Sequence, residues 1–406
     1  MECFVARQPI FTKNRKVYGY ELLYRDSIGN SVSGVEDGAL DGSTATSETI
    51  LNSFQNIGIY KLTNNKKAFV NFTEDLILQE VATLLPRDTL VVEVLEGIEP
   101  TEPILNAIAG LKNSGYMIAL DDFVVDPVNY SFFEYTDIIK FDLIATPIDT
   151  IRPLVHDLRK SSIILLAEKI ENAQVFEEAV GLGFTLFQGY FFSKPTTVKQ
   201  KKINPLRANC MHLINLTMQD EMSFRKCAEI IKQDVALSFS LLKLVNSAYF
   251  GLPYPAKSIQ HAISILGEGE LTKWIILVSL SRMKDDKPDE LVRMSLMRGR
   301  ILETLSSDLM LTKQSNDLFL LGLLSFLDVL TDTPMDEVIA QVNLNKFVAD
   351  NLTGKGKYRG LLELLSYHEK GDWDEAIRLS KSFGVGETRI NELYLDALDW
   401  IKSISF

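Results

Sequence analysis

The sequence predicts two folds in series, an α/β barrel followed by an all-α domain. Two observations carry that reading. Through residues 1–198, short apolar runs alternate with helical patterns, and the runs are continuously apolar, as expected of parallel strands covered on both faces. From Pro205 onward those runs give way to apolar residues three and four apart, the spacing of one helix face after another.

In the first half the expected strands are Phe4 to Val5, Val17 to Tyr24, Ala68 to Phe72, Leu90 to Val94, Met117 to Leu120, Asp137 to Phe141, Ile163 to Ala167 and Thr185 to Gln188. Helical patterns fall between them at Thr44 to Ile57, Glu102 to Ser114, Ile151 to Lys160 and Ala173 to Gly181. The number and length of these units fit a (β/α)8 barrel, whose chemistry sits at the carboxyl ends of the strands. A polar, basic break from Lys199 to Pro205 marks the expected boundary, giving domains 1–198 and 199–406. Beyond it, helices are expected from Asn209 to Thr217, Ser223 to Lys232, Ala236 to Ser247, Ile259 to Leu266, Leu271 to Ser281, Pro288 to Ser307 and Asn316 to Leu330. Shorter ones follow through Gly386 to Lys402.

Composition narrows the function. The 406 residues are 46% hydrophobic and 24% charged, as in ordinary folded proteins. The net charge of −12 argues against a general nucleic-acid binder, which needs a cationic surface to displace counterions. Cys3, Cys210 and Cys227 are odd in number and lack metal-type spacing, so they read as reduced thiols of a cytoplasmic protein. The longest apolar runs, such as Trp274 to Leu280, are far short of a membrane span.

The strand ends carry the candidate chemistry. Met117 to Leu120 runs into the adjacent carboxylates Asp121 and Asp122, which repel each other unless a cation sits between them. Other strands end alike, in Glu21, Asn71, Glu93, Lys140, Asp142, Glu168 and Gln188, with Glu96 just past the fourth. An oxygen-rich cage of this kind suits a hard divalent cation such as magnesium, calcium or manganese. No histidine or cysteine is placed for zinc.

These residues resemble the EAL domain of bacterial cyclic di-GMP signalling. The Glu-x-Leu-x-Arg signature matches Glu21-Leu22-Leu23-Tyr24-Arg25, and the family's asparagine matches Asn71. Glu93 and Glu96 match Glu-x-Thr-Glu, Asp121-Asp122-Phe123 the Asp-Asp-Phe motif, and Lys140-Phe141-Asp142 the Lys-Ile-Asp motif. Ala167 to Glu171 matches Ala-Glu-Gly-Val-Glu, and Gln188 to Pro195 the closing Gln-Gly-Tyr-x-Phe-Ser-x-Pro. The resemblance implies a magnesium- or manganese-dependent phosphodiesterase acting on cyclic di-GMP. Glu21, Asn71, Glu93 and Asp121 would hold one ion, and Asp121 would bridge to a second beside Asp122. Glu168 and Lys140 would serve the attacking water, Gln188 and Leu23 would line the ligand, and Arg25 would pair with a phosphate.

One stretch departs from that family. Active members continue Gly-Thr-Gly-Tyr-Ser-Ser after Asp-Asp-Phe, whereas here Val124 to Ser131 has no glycine and carries Pro127. That leaves three readings of the first half: a sensor with slow turnover, a full phosphodiesterase, and a scaffold acting only through protein contacts. The second half resembles HDOD domains, through Asp234 to Ser238, Leu241 to Gly251 and Ile259 to Gly267. These are HD-related helical domains without the catalytic His-Asp pair. Asp328, in the corresponding stretch, has no histidine beside it. The expected role is to relay a signal to an unidentified protein partner. Homodimerisation is left open.

Overall fold

The computed structural model describes residues 3–26, 58–189, 212–219, 222–246, 256, 258–283, 287–342 and 344–403. The helix expected from Thr44 to Ile57, the junction from Lys199 to Pro205 and the motif residues 190–195 and 247–251 lie outside them. By compactness the chain divides into two units. One comprises Met1–Lys194, Leu364–Ser382 and Gly386–Asn391; the other comprises Pro195–Glu363, Phe383–Val385 and Glu392–Phe406.

Eight strands close a barrel in chain order: β1 (Cys3–Thr12), β2 (Val17–Asp26), β3 (Lys67–Phe72), β4 (Leu90–Val94), β5 (Met117–Leu120), β6 (Ile138–Asp142), β7 (Ile164–Glu168) and β8 (Leu186–Phe187). From β2 to β8 every pairing is parallel. β1 departs from the all-parallel expectation, running antiparallel to both β2 and β8. Its connection to β2 explains why. A parallel crossover needs a dozen or more residues, and Thr12 is joined to Val17 by a tight turn. Arg15 is left-handed there, and its N–H donates to the Thr12 carbonyl at 2.8 Å.

β8 is short and meets β1 only at Phe11 and Thr12. The rest of that edge of β1 is met by the C-terminal segments of the same unit, which supply partners for exposed edge groups. The Asn391 carboxamide oxygen accepts the Val5 N–H at 2.9 Å, and the Lys370 carbonyl accepts the Gln8 side chain at 3.1 Å. Trp373 is buried against Ala6 and Leu23.

The second unit is helical throughout its described residues. Its core gathers Ile231, Leu241, Ile263, Leu271 and Trp274. The two helices expected at Ile259 to Leu266 and Leu271 to Ser281 are present within Ile259–Met283, broken where Gly267 takes the non-helical φ +69°. The helix expected from Asn316 to Leu330 is two, Ser315–Leu323 and Leu327–Thr331, separated by a turn in which Leu327 N–H bonds Leu324. Asp234 caps the Val235–Val245 helix through Leu237 N–H and also pairs with Arg282. Gly322 allows Ser315–Leu323 to lie directly on Asp289–Leu305, since a Cβ there would be 2.4 Å from the Arg298 backbone. Among the described residues no helix is long and apolar enough to cross a membrane.

His368 adds a pH dependence to the barrel unit. It is fully buried with its ring edge-to-face on Trp373, and burial lowers its pKa from 6.5 to about 4. Between those values the unfolded chain binds the proton and the folded chain does not, so this contribution is complete above pH 6.5 and lost as pH falls toward 4. The loss expected is about 3 kcal/mol. Urea unfolding at stepped pH should show it, with a shallower decline in His368→Gln.

Candidate metal centre

Strand geometry builds the site. Side chains two residues apart on a strand share a face. Inside the barrel, Ile10, Phe69, Val91, Ala119, Ile138, Leu166 and Leu186 form one buried apolar layer. Two residues nearer the mouth on the same strands stand Gln8, Asn71, Glu93, Asp121, Lys140, Glu168 and Gln188. Glu21 holds the equivalent place on β2, above Gly19. Glycine is required there because a Cβ would lie 2.9 Å from the Phe69 ring and 2.8 Å from the Lys67 carbonyl oxygen. One polar ring therefore sits directly above one apolar layer.

Lys140 is at the ring's centre. Its Nζ lies 2.6 Å from Asp121, 2.7 Å from Glu93, 3.0 Å from Glu168 and 3.8 Å from Glu21. Burial alone would lower the lysine's pKa, but these four carboxylates raise it well above its usual value. Desolvation pushes the carboxyls of Glu93 and Glu168 well up and that of Glu21 up as well, against the pull of Lys140. Gln188 donates to Glu21 at 2.6 Å and to Gln8 at 3.0 Å.

One ammonium leaves much of this set unsatisfied. Asn71 Oδ1, Glu93 Oε2, Asp122 Oδ1 and Gln188 Oε1 are buried without a hydrogen-bond partner, a costly state for polar atoms. Asp121, Asp122 and Glu168 each bring a carboxylate oxygen within 4.8 Å of the others. An all-oxygen, strongly anionic donor set of this kind fits a divalent cation. Glu21, Asn71, Glu93 and Asp121 would hold it, with Asp122 and Glu168 on the open side.

Residues 55–195 match the EAL domain, and residues 203–333 match the HDOD domain. The uncharacterised protein YuxH of Bacillus subtilis (strain 168) is 35% identical over all of this chain and 99% of its own length. The chain belongs to the EAL–HDOD family. The cyclic di-GMP phosphodiesterase CdgJ of Vibrio cholerae serotype O1 is 31% identical over 99% of this chain and 93% of its own. Among solved structures, a cyclic di-GMP-bound standalone EAL protein from Vibrio cholerae O395 is 22% identical, covering 50% of this chain and 96% of that one, at a TM-score of 0.36.

Other EAL motif residues among the described ones lie off the ring. Asp142 is not part of it. Its Oδ1 accepts the N–H groups of Ile144 and Ala145 at 2.7 and 3.0 Å, its Oδ2 takes Lys169 at 2.9 Å, and against the cost of burial these bonds lower its pKa. Glu96 is exposed, beside a small cleft lined by Asp121, Val124 and Asn129. Leu23 is buried against Ala6 and Trp373, while the Arg25 side chain lies outside what the structure describes. Two further residues belong to the site, Gln8 within the ring and Lys169 beside it. Gln8 was legible as the polar neighbour two places from Ile10, had β1 been recognised as antiparallel. Lys169 carried a different signal, standing where the EAL motif has glycine.

The loop lacking glycines is a built structure. Asp126 accepts the Val128 N–H at 2.9 Å, Pro127 opens a 3-10 helix over Pro127–Tyr135, and Phe123, Tyr130 and Phe133 pack ring on ring. In the HDOD domain, Asp328 is half-buried with its carboxyl pushed up by desolvation, and His261 is exposed on its helix. Among the described residues, the Asp121, Asp122 and Glu168 group is the one cluster spaced for a metal ion.

Removing the central ammonium should expose the charge imbalance. In metal-free buffer, Lys140→Met is expected to lower stability by about 3–5 kcal/mol, the usual cost of stranding buried charge. Manganese should then raise its melting midpoint by more than it raises that of the unsubstituted protein. Thermal denaturation with chelator and with manganese measures both.

Proposed function

We propose that the barrel binds and hydrolyses cyclic di-GMP with a divalent cation, magnesium or manganese, and that the HDOD domain passes the liganded state to a protein partner in the cytoplasm. The observation that carries this reading is the ring of buried oxygen donors, several without partners, at one mouth of the barrel. The full-length likeness to a protein named as a cyclic di-GMP phosphodiesterase supports the substrate. When bound, the cation supplies an activated water and neutralises charge on the phosphodiester.

The chain's own residues divide the remaining work. Gln188 holds Glu21 in place for the cation through its 2.6 Å bond. Glu168, 3.0 Å from Lys140, is placed to accept the proton of the attacking water. Lys140, held cationic by its neighbours, offsets charge developing on the phosphate. Leu23 and Gln188 line the nucleotide side, and Arg25 pairs with a phosphate. The division into domains 1–198 and 199–406 belongs to this proposal, with Leu364–Ser382 packing back on the barrel.

The glycine-free loop favours a second reading, a scaffold that acts through protein contacts without turnover. Calorimetric titration of the full chain with cyclic di-GMP, with and without manganese, separates the two. Metal-dependent binding and release of a linear dinucleotide are expected, with turnover reduced about 10²–10⁴-fold in Glu168→Gln and binding kept. No binding under any metal condition would overturn the proposal and leave the scaffold.

A further inference from the structure

Lys169 follows Glu168 at the end of β7, with a left-handed backbone at φ +51°. Asp122, which its ammonium faces, is left-handed too, at φ +36°. Such backbone favours glycine, and the EAL motif has glycine where Lys169 stands. The turn is fixed on both sides. Leu143 N–H donates to the Glu168 carbonyl at 3.4 Å, and Ile170 N–H donates to the Gln188 carbonyl at 3.1 Å. It carries the Lys169 ammonium to the acids beside the ring, 2.9 Å from Asp142 Oδ2 and 3.8 Å from Asp122 Oδ2. Asp142 is itself pinned by two backbone N–H groups, so it acts as the ammonium's anchor. Asp122 is one corner of the Asp121, Asp122 and Glu168 group.

We propose that Lys169 is a tethered cation that takes the place of a second divalent ion, so that the barrel holds one ion where Asp121 and Asp122 provide acids for two. This rests on the divalent-cation reading given under Proposed function. A second ion against Asp122 would stand within a few ångströms of a like charge, and like charges that close repel strongly. To relieve that repulsion, the ammonium would have to move away from Asp122. Its side chain is 45% exposed, so release into water is sterically open and the protein tether sets the competition. Lys169 thus determines how many metals the site takes, without touching the apolar layer that holds the barrel together.

Manganese titration of the full chain, read by electron paramagnetic resonance, tests this without any assay of turnover. The unsubstituted protein is expected to bind one manganese with an isolated-ion spectrum. Lys169→Gly, which relaxes the backbone, and Lys169→Met, which keeps the stem and loses the charge, are each expected to bind two, spin-coupled through the shared Asp121. Lys169→Arg should stay at one. Two ions on the unsubstituted protein, or one on both neutral variants, would overturn the role of Lys169 while leaving the metal reading intact. If none of the four proteins binds manganese, the metal reading falls and this inference with it.

Discussion

An ammonium group buried among four carboxylates is the interaction on which the barrel's mouth depends. Lys140 is held there by β6, and each acid that reaches it comes from a different strand or strand end. A buried charge set of this kind is poor evidence for stability, because desolvation offsets much of the attraction. Its effect is on position. Glu21, Glu93, Asp121 and Glu168 cannot separate without stranding charge, so the strands that carry them are registered against one another at the end where chemistry would occur. The apolar layer one step below supplies the burial that makes this arrangement affordable.

The same ring explains how two lysines can stand in a metal-type site. Lys140 engages one oxygen from each of its neighbours and leaves Glu93 Oε2 and Asn71 Oδ1 without partners. Lys169 approaches from outside, anchored on Asp142. The protein thus arranges fixed positive charge on two sides of an oxygen cage, and the Asp121, Asp122 and Glu168 edge lies between them. Charge placement of this kind governs which ions enter more than how strongly the fold holds.

Much of this was legible in the sequence. Asn71, Glu93, Asp121, Glu168 and Gln188 stand within one residue of the end of an apolar run, so a strand reading locates them, whereas Glu21 and Lys140 lie inside β2 and β6 and are located by the side-chain alternation. The antiparallel β1 was not legible from apolar content, because its direction is set by the short turn after Thr12 and not by burial. The break between Ser315–Leu323 and Leu327–Thr331 was not legible because apolar periodicity continues through the turn at Leu324, whereas Gly267 marked its own break. Lys169 was visible as a departure from the motif's glycine, but its direction was not. A single lysine after a strand usually faces water, and only the left-handed turn aims this one back at the acids.

Anomalous scattering from crystals grown with manganese tests the central claim most directly. The account predicts a peak bounded by Asp121 and Glu168, with the partnerless oxygens of Asn71 and Glu93 turned toward it. A mouth with no peak, and Lys140 still paired to all four acids, would contradict it.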